Sequence, residues 1–243
     1  MILTLARREL HSLFTAPSTW WMLALLQFIL SWFWLARVDD YLQVQAQLAQ
    51  MDSAPGATIS IAAPLAGALA LLLMMLIPLF SMRLLAEERR NQTWLLLASA
   101  PISPAQIVLG KFLGLLALLS LIIAAEGLLM LTLWLGTSAD PGLIASNLLG
   151  VWLQAASYAA LGLYCSAITR QPVVAAFGAL AVSFGLWVLE MGNGILRVLS
   201  PNLHFQNLNV GLVSSADLCY FALFIALFLL LAMRQLRREQ EGR

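Results

Sequence analysis

The sequence predicts an all-α integral membrane protein with six transmembrane helices, on three observations. Hydrophobic residues make up 61% of the chain, well above the roughly 45–50% of soluble domains. Charged residues make up only 10%, against about 25% in such domains. The charges are also spaced so that six apolar runs remain, each near the 20 or so residues that a helix needs to cross hydrocarbon. These runs fall at about residues 17–36, 61–82, 107–134, 145–168, 172–190 and 212–233, and together they form a single transmembrane domain over 1–243.

Basic residues set the expected orientation, because Lys and Arg concentrate on the cytoplasmic side of membrane proteins. With the N-terminus inside, Arg7, Arg8, Arg83, Arg89, Arg90, Lys111, Arg170, Arg234, Arg237, Arg238 and Arg243 all fall on that side. Only Arg37 and Arg197 fall outside. An odd number of spans would destroy this asymmetry, so both termini are expected in the cytoplasm. The first apolar run is longer than a signal-peptide core, and Leu35-Ala36-Arg37 is not a small-x-small cleavage site.

Ahead of the first run, Leu3, Ala6, Leu10, Leu13 and Phe14 share one helical face, with Arg7, Arg8, His11 and Ser12 opposite. That pattern suits a helix lying in the membrane interface. A plain extension of the first span is the alternative. Beyond the first run, Tyr41, Val44, Leu48 and Met51 form an apolar stripe expected to pack on the protein's own outer surface. The stretch Met191–Leu212 carries Gly192, Asn193, Gly194, Pro201, Asn202, Asn207, Asn209 and Gly211. It is too irregular for a seventh span and reads as an outer loop or shallow re-entrant segment.

Several chemistries find no support in the sequence. The formal net charge of +1 gives no reason to expect nucleic acid. Cys165 and Cys219 lie inside apolar runs, and His11 and His204 have no second ligand at metal spacing. Gly110-Lys111 lacks the upstream glycine of a phosphate-binding loop and is followed by Phe112. Glu87-Glu88 resembles the start of a membrane-protease motif, but Gln92 stands where its Arg belongs. The chain is therefore expected not to be an enzyme and to hold no cofactor or metal.

Glu126 is the acid expected deep in a span. An ionised side chain there costs about 2.5 to 3.5 kcal/mol on insertion scales for related residues, so it must face protein or water, or be protonated. A hydrogen bond to Gln154, Ser157 or Tyr158 on the fourth span is one reading, and a substrate-path or gating role is the other. Trp20, Trp21, Trp32, Trp34, Trp134, Trp152 and Trp187 fall mostly near span ends, as an interfacial aromatic belt would.

The most informative stretch lies between the second and third spans. A charged turn, Glu87 to Arg90, leads into an apolar helix from about Thr93 to Ala100, stopped by Pro101. Such a helix is roughly 12 Å long and cannot cross a core of about 30 Å, so its side chains need another cover. Met82-Arg83-Leu84-Leu85-Ala86-Glu87-Glu88-Arg89-Arg90, Ser99-Ala100-Pro101-Ile102-Ser103 and Ile107-Val108-Leu109-Gly110-Lys111-Phe112 resemble the type-2 ABC transporter permeases. Within them, the likeness is to the gliding-motility GldF-like permease subunits. Ser166-Ala167-Ile168-Thr169-Arg170-Gln171 is similar to the family's second cytoplasmic contact, and Ser200-Pro201-Asn202-Leu203-His204-Phe205 to part of its last outer loop.

That resemblance implies the permease subunit of an exporter-type ABC transporter in the cell inner (cytoplasmic) membrane. ATP and Mg would sit on a separate ATPase present in two copies, beside a second permease subunit as homo- or heterodimer. It leaves room for an extracytoplasmic auxiliary protein, and membrane lipid surrounds the whole. Glu87, Glu88, Arg89, Arg90, Thr93, Trp94, Pro101, Thr169 and Arg170 are the implied ATPase-coupling residues. Two positions depart from the family pattern: Gln92 replaces the Gly before Thr93, and Leu95 replaces an acid. A non-transporting membrane anchor or scaffold is the alternative function.

Overall fold

The computed structural model describes residues 1–48, 56–90, 103–137, 139–192 and 194–241. Among these residues the chain is helical, with no strand. Six helices are long and apolar enough to cross a membrane: Pro17–Gln45, Thr58–Arg90, Pro104–Leu135, Pro141–Ile168, Pro172–Met191 and Ser215–Glu239. They are called the first to sixth spans below. An N-terminal helix, Ile2–Thr15, precedes them, and a short helix, Pro201–Asn209, lies between the fifth and sixth.

Local sequence explains where these helices begin. Proline opens the first, third, fourth and fifth spans and the short helix, a position where its missing N–H costs nothing and its fixed φ favours helix. Ser103 and Gln106 form a capping box ahead of the third span, each side chain accepting from the other residue's backbone N–H. Asp140 caps the fourth span, accepting from the Gly142 N–H at 2.8 Å. Its own N–H donates to Thr58 Oγ1 at 3.0 Å, which ties the fourth span to the start of the second.

Ala16 has extended backbone (φ −77°, ψ 118°), so the N-terminal helix is a separate element and not an extension of the first span. Its exposed face carries Arg7, Arg8, His11 and Ser12 as the periodicity predicts. Leu3, expected on the covered face, is 79% exposed. The face that packs on the third span keeps Ala6 as expected and adds Leu5 and Glu9, and these meet Gly110 and Gly114. The helix of the first span runs on to Leu48, beyond the expected end near residue 36. Tyr41 packs on the core as expected, while Val44 is exposed. Met51 lies outside the described residues.

The fourth span forms the centre of the bundle and touches the second, third, fifth and sixth spans and the short helix. Its middle is built of small buried residues, Ala155, Ala156, Ser157, Ala159, Ala160 and Gly162. In hydrocarbon, where lipid is as apolar as leucine, close packing of small residues brings helices together. At Gly162 a β-carbon would stand 2.2 Å from Ser81 Oγ, so only glycine admits the second span there.

One turn further along, the second span passes through a π-helical turn, Arg83–Glu87. The wide turn is held by buried Ser166 of the fourth span. Its hydroxyl accepts from the N–H groups of Leu85 at 3.1 Å and Ala86 at 3.0 Å, and donates to the Met82 carbonyl at 3.2 Å. Ser166→Ala strands two buried donors and is expected to destabilise the protein by on the order of 1–3 kcal/mol. Thermal unfolding in detergent checks this, with Leu223→Ala at an exposed position expected to change stability by less than about 0.5 kcal/mol.

Candidate functional site

Basic residues gather at one end of the bundle, where the second span ends and the third begins. Lys111 is 4% exposed there. Its ammonium donates to Glu9 Oε2 of the N-terminal helix at 3.0 Å and to Glu88 Oε1 at 2.8 Å. A buried cation is tolerated only when paired and hydrogen-bonded, and two carboxylates from two other elements meet that need. Close approach makes the geometry reachable. A β-carbon at Gly110 would stand 2.7 Å from Leu5 Cβ, and one at Gly114 would stand 2.7 Å from Glu9 Cβ. This Gly-x-x-x-Gly step lets the N-terminal helix lie directly on the third span, and Lys111 sits between the two glycines.

The charged segment Glu87 to Arg90 is not the turn expected from sequence. It continues the helix of the second span through the π turn. Helical phase divides its four charges. Glu88 pairs with Lys111. The Arg89 guanidinium bridges Glu239 of the sixth span at 2.9 Å and donates to the Thr169 carbonyl at 3.4 Å. Glu87 and Arg90 are exposed, as is Arg170, which lies near enough to act electrostatically on Arg89. Glu88, Arg89 and Thr169 thus brace the fold, whereas Glu87, Arg90 and Arg170 face outward. Thr93, Trp94 and Pro101, with the rest of the expected short apolar helix, lie outside the described residues.

Glu126 is fully buried in the third span, and among the described residues no hydrogen bond of ordinary geometry reaches its carboxyl oxygens. Gln27 of the first span stands beside it. Of the partners expected on the fourth span, two are engaged elsewhere, and Tyr158 has its hydroxyl beside Gln154. Gln154 donates to Asn202 at 3.5 Å and Ser157 to the Leu153 carbonyl at 2.9 Å. The Trp152 indole instead joins the fourth span to the third by donating to Ser120 Oγ at 2.9 Å. Trp20, Trp21, Trp32 and Trp134 are exposed, as an aromatic belt requires, but Trp34 is 7% exposed and belongs to the core.

A second polar cluster, which sequence reasoning missed, lies at the opposite end. His204 Nδ1 is 2.6 Å from Asp217 Oδ1 of the sixth span, and Nε2 is 3.0 Å from the Val198 carbonyl. Asn207 Nδ2 reaches both oxygens of Asp217, and the Tyr220 ring stacks on His204 with centroids 3.9 Å apart. The short helix is thereby fastened to the sixth span. On its other side, Ser146 donates to the Leu208 carbonyl at 2.6 Å and Asn209 to the Ala63 carbonyl at 3.0 Å. Within this stretch the short helix Pro201–Asn209 is packed into the bundle. Among the described residues no group of three His, Cys, Asp or Glu could hold a metal ion.

This arrangement defines a multi-pass membrane protein: a helical bundle with a charged, braced end from which Glu87, Arg90 and Arg170 project. The family described as ABC-2 family transporter protein matches residues 3–210, and the chain belongs to it. No curated protein matches the sequence. Members of that family are membrane components of ABC transporters, carry no catalysis themselves, and in general pair with an ABC ATPase and dimerise. The match takes in the N-terminal helix, five spans and the short helix.

Removing the cation at position 111 tests the brace. Lys111→Met removes the cation that Glu9 and Glu88 share, and breaking a buried pair in this way costs about 3–5 kcal/mol. The partial exposure of both carboxylates, 18% and 24%, argues for the lower end. Glu9→Gln alone leaves Lys111 paired with Glu88 and is expected to be milder. Adding Glu9→Gln to Lys111→Met is expected to recover part of the loss, read as the unfolding temperature of the purified protein.

Proposed function

We propose that this chain is the permease subunit of an exporter-type ABC transporter, driven by a separate ATPase that docks at the basic end. The observation that carries this is the division of labour among the four charges. Two are consumed in a buried brace between the second, third and sixth spans and the N-terminal helix. Two neighbours, with Arg170, are left projecting from the braced end. A surface that must transmit force needs such rigid support, and exposed charges beside an apolar anchor suit a protein partner. ATP and Mg would be held by that partner. A second permease subunit would complete the transporter, and the motif likeness favours a GldF-like assignment.

In this reading the basic end faces the cytoplasm of an inner membrane, with both termini inside, in keeping with the positive-inside bias. In a background lacking Cys165 and Cys219, cysteines at Gln43 and Leu212 are expected to react with an impermeant thiol reagent in intact cells. Cysteines at Arg90 and Arg238 are expected to stay unlabelled until the membrane is opened. Labelling of position 90 from outside reverses the orientation.

The docking itself is tested at Trp94, the aromatic anchor of the expected coupling helix. Trp94→Asp is expected to leave insertion intact and to abolish co-purification of the ATPase, since such anchors commonly contribute about 2 kcal/mol or more. Charge reversal of Glu87 together with Arg90 is expected to weaken binding less, because rim charges contribute little at physiological salt. Reversal of Glu88 and Arg89 is expected to damage the fold itself. Retention of wild-type ATPase pull-down by Trp94→Asp makes the segment a surface anchor and overturns its coupling role.

A further inference from the structure

The His204 ring lies between two acceptors. Its Nδ1 is 2.6 Å from the Asp217 carboxylate, and its Nε2 is 3.0 Å from the Val198 carbonyl. A neutral imidazole has one N–H and one lone pair, whereas an imidazolium has two N–H groups. Either neutral tautomer would set a lone pair against an oxygen. Only the doubly protonated ring donates to both neighbours.

Two further observations call for the same charge. Asp217 is 4% exposed, and a buried carboxylate needs a charged or hydrogen-bonded partner. Among the described residues no Lys or Arg pairs with it. Its ion pair is with His204, and its other bonds come from the neutral Asn207 carboxamide. The Tyr220 ring lies flat on His204, with centroids 3.9 Å apart and 22° between the planes. The Tyr220 hydroxyl donates to the Leu199 carbonyl at 2.6 Å, which pins the ring where its π face attracts a cation.

We propose that His204 is held as an imidazolium, and that this proton clasps the short helix to the sixth span until alkaline pH releases it. The closed ring holds two protons, while a solvated imidazole loses one near neutral pH. Opening therefore sheds a proton and becomes more favourable as pH rises, by up to about tenfold per pH unit. The other titratable groups around the short helix do not take its place. Glu190 of the fifth span accepts from Asn202 and Gln206 and brings a second negative charge to this helix. Tyr158 of the fourth span is buried, while Asp140, Arg197 and Cys219 are exposed. The second span has no titratable residue over 58–82. Asn202, Phe205, Gln206 and Asn209 of the short helix line a cavity of about 270 Å³ beside the second, fourth and fifth spans. The clasp thus governs one wall of that cavity, and it rests on neither the membrane orientation nor the ATPase docking.

The full-length protein in nanodiscs provides the test. His11 is exposed, and His11→Gln leaves His204 as the sole histidine. Nitrogen NMR of isotopically labelled histidine is expected to show two protonated ring nitrogens at about pH 7.5, where a solvated imidazole is mostly neutral. Asp217→Asn is expected to leave one of them unprotonated. Release of the helix is read at Leu208, which is fully buried against Gly150. In a background lacking Cys165 and Cys219, the thiol-labelling rate of Leu208→Cys is divided by that of Leu212→Cys at an exposed site, which removes the thiol's own pH dependence. This ratio is expected to rise about tenfold or more between about pH 6 and about pH 9, and to stay flat when His204→Gln is added. Where a clasp variant fails to fold, the spectrum of the His11→Gln protein decides alone. An unprotonated ring nitrogen at about pH 7.5, a flat ratio with His204 present, or a rise that persists with His204→Gln overturns the proposal.

Discussion

The basic end of this protein depends on a single ammonium group. Lys111 sits at the first turns of a span, 4% exposed, where a lone charge would be costly. Its two carboxylates come from elements that hydrophobic packing alone would not place. Glu9 interrupts the covered face of the N-terminal helix, and Glu88 lies just past a π turn. Each acid would itself be a liability if the cation were absent. The three groups therefore select one arrangement, because any other leaves at least one of them unpaired. Glycine makes the arrangement sterically accessible, since Gly110 and Gly114 let backbone meet backbone on either side of Lys111.

Hydropathy and charge spacing disclosed the six spans because hydrocarbon imposes its demand residue by residue along the chain. The ends were harder to place for a physical reason: charge ends a membrane run without ending a helix. The first span thus continues to Leu48 and the second through Arg90. The Gly110–Gly114 spacing was a visible signal, and it would have placed the N-terminal helix on the third span. Amphipathic periodicity placed Arg7, Arg8, His11 and Ser12 on the exposed face, as found, and put only Leu3 on the wrong side. That pattern contains no term for a cation supplied from a distant segment, such as the one that holds Glu9 against the third span.

Long-range pairing hid the rest. His204 finds Asp217 across thirteen positions and two elements, a separation that no motif spacing encodes. Glu190, Asn202 and Gln206 meet only because the short helix folds back into the bundle. The reverse held for Glu126, whose depth was legible but whose neighbour was not. Gln27 reaches it from the first span, whereas Gln154 and Ser157, suggested by residue type, are bonded elsewhere. Polarity fixes how deep a residue lies more readily than which helix it faces.

The π turn at Arg83–Glu87 links these considerations to the charges exposed at the basic end. An α-helix advances about 100° per residue, so the extra residue of a π turn rotates everything beyond it by about that angle. The rotation decides which of Glu87 to Arg90 face inward. With the turn in place, Glu88 meets Lys111 and Arg89 meets Glu239, while Glu87 and Arg90 remain exposed. Without it the same four charges would present a different pair to solvent and strand a different pair inside. The turn persists because Ser166 satisfies the N–H groups of Leu85 and Ala86, which the wide turn leaves over. One buried hydroxyl on the central span thus controls the charge pattern at the end of its neighbour. The fourth span thereby sets, through backbone geometry, which charges its neighbour exposes at that end.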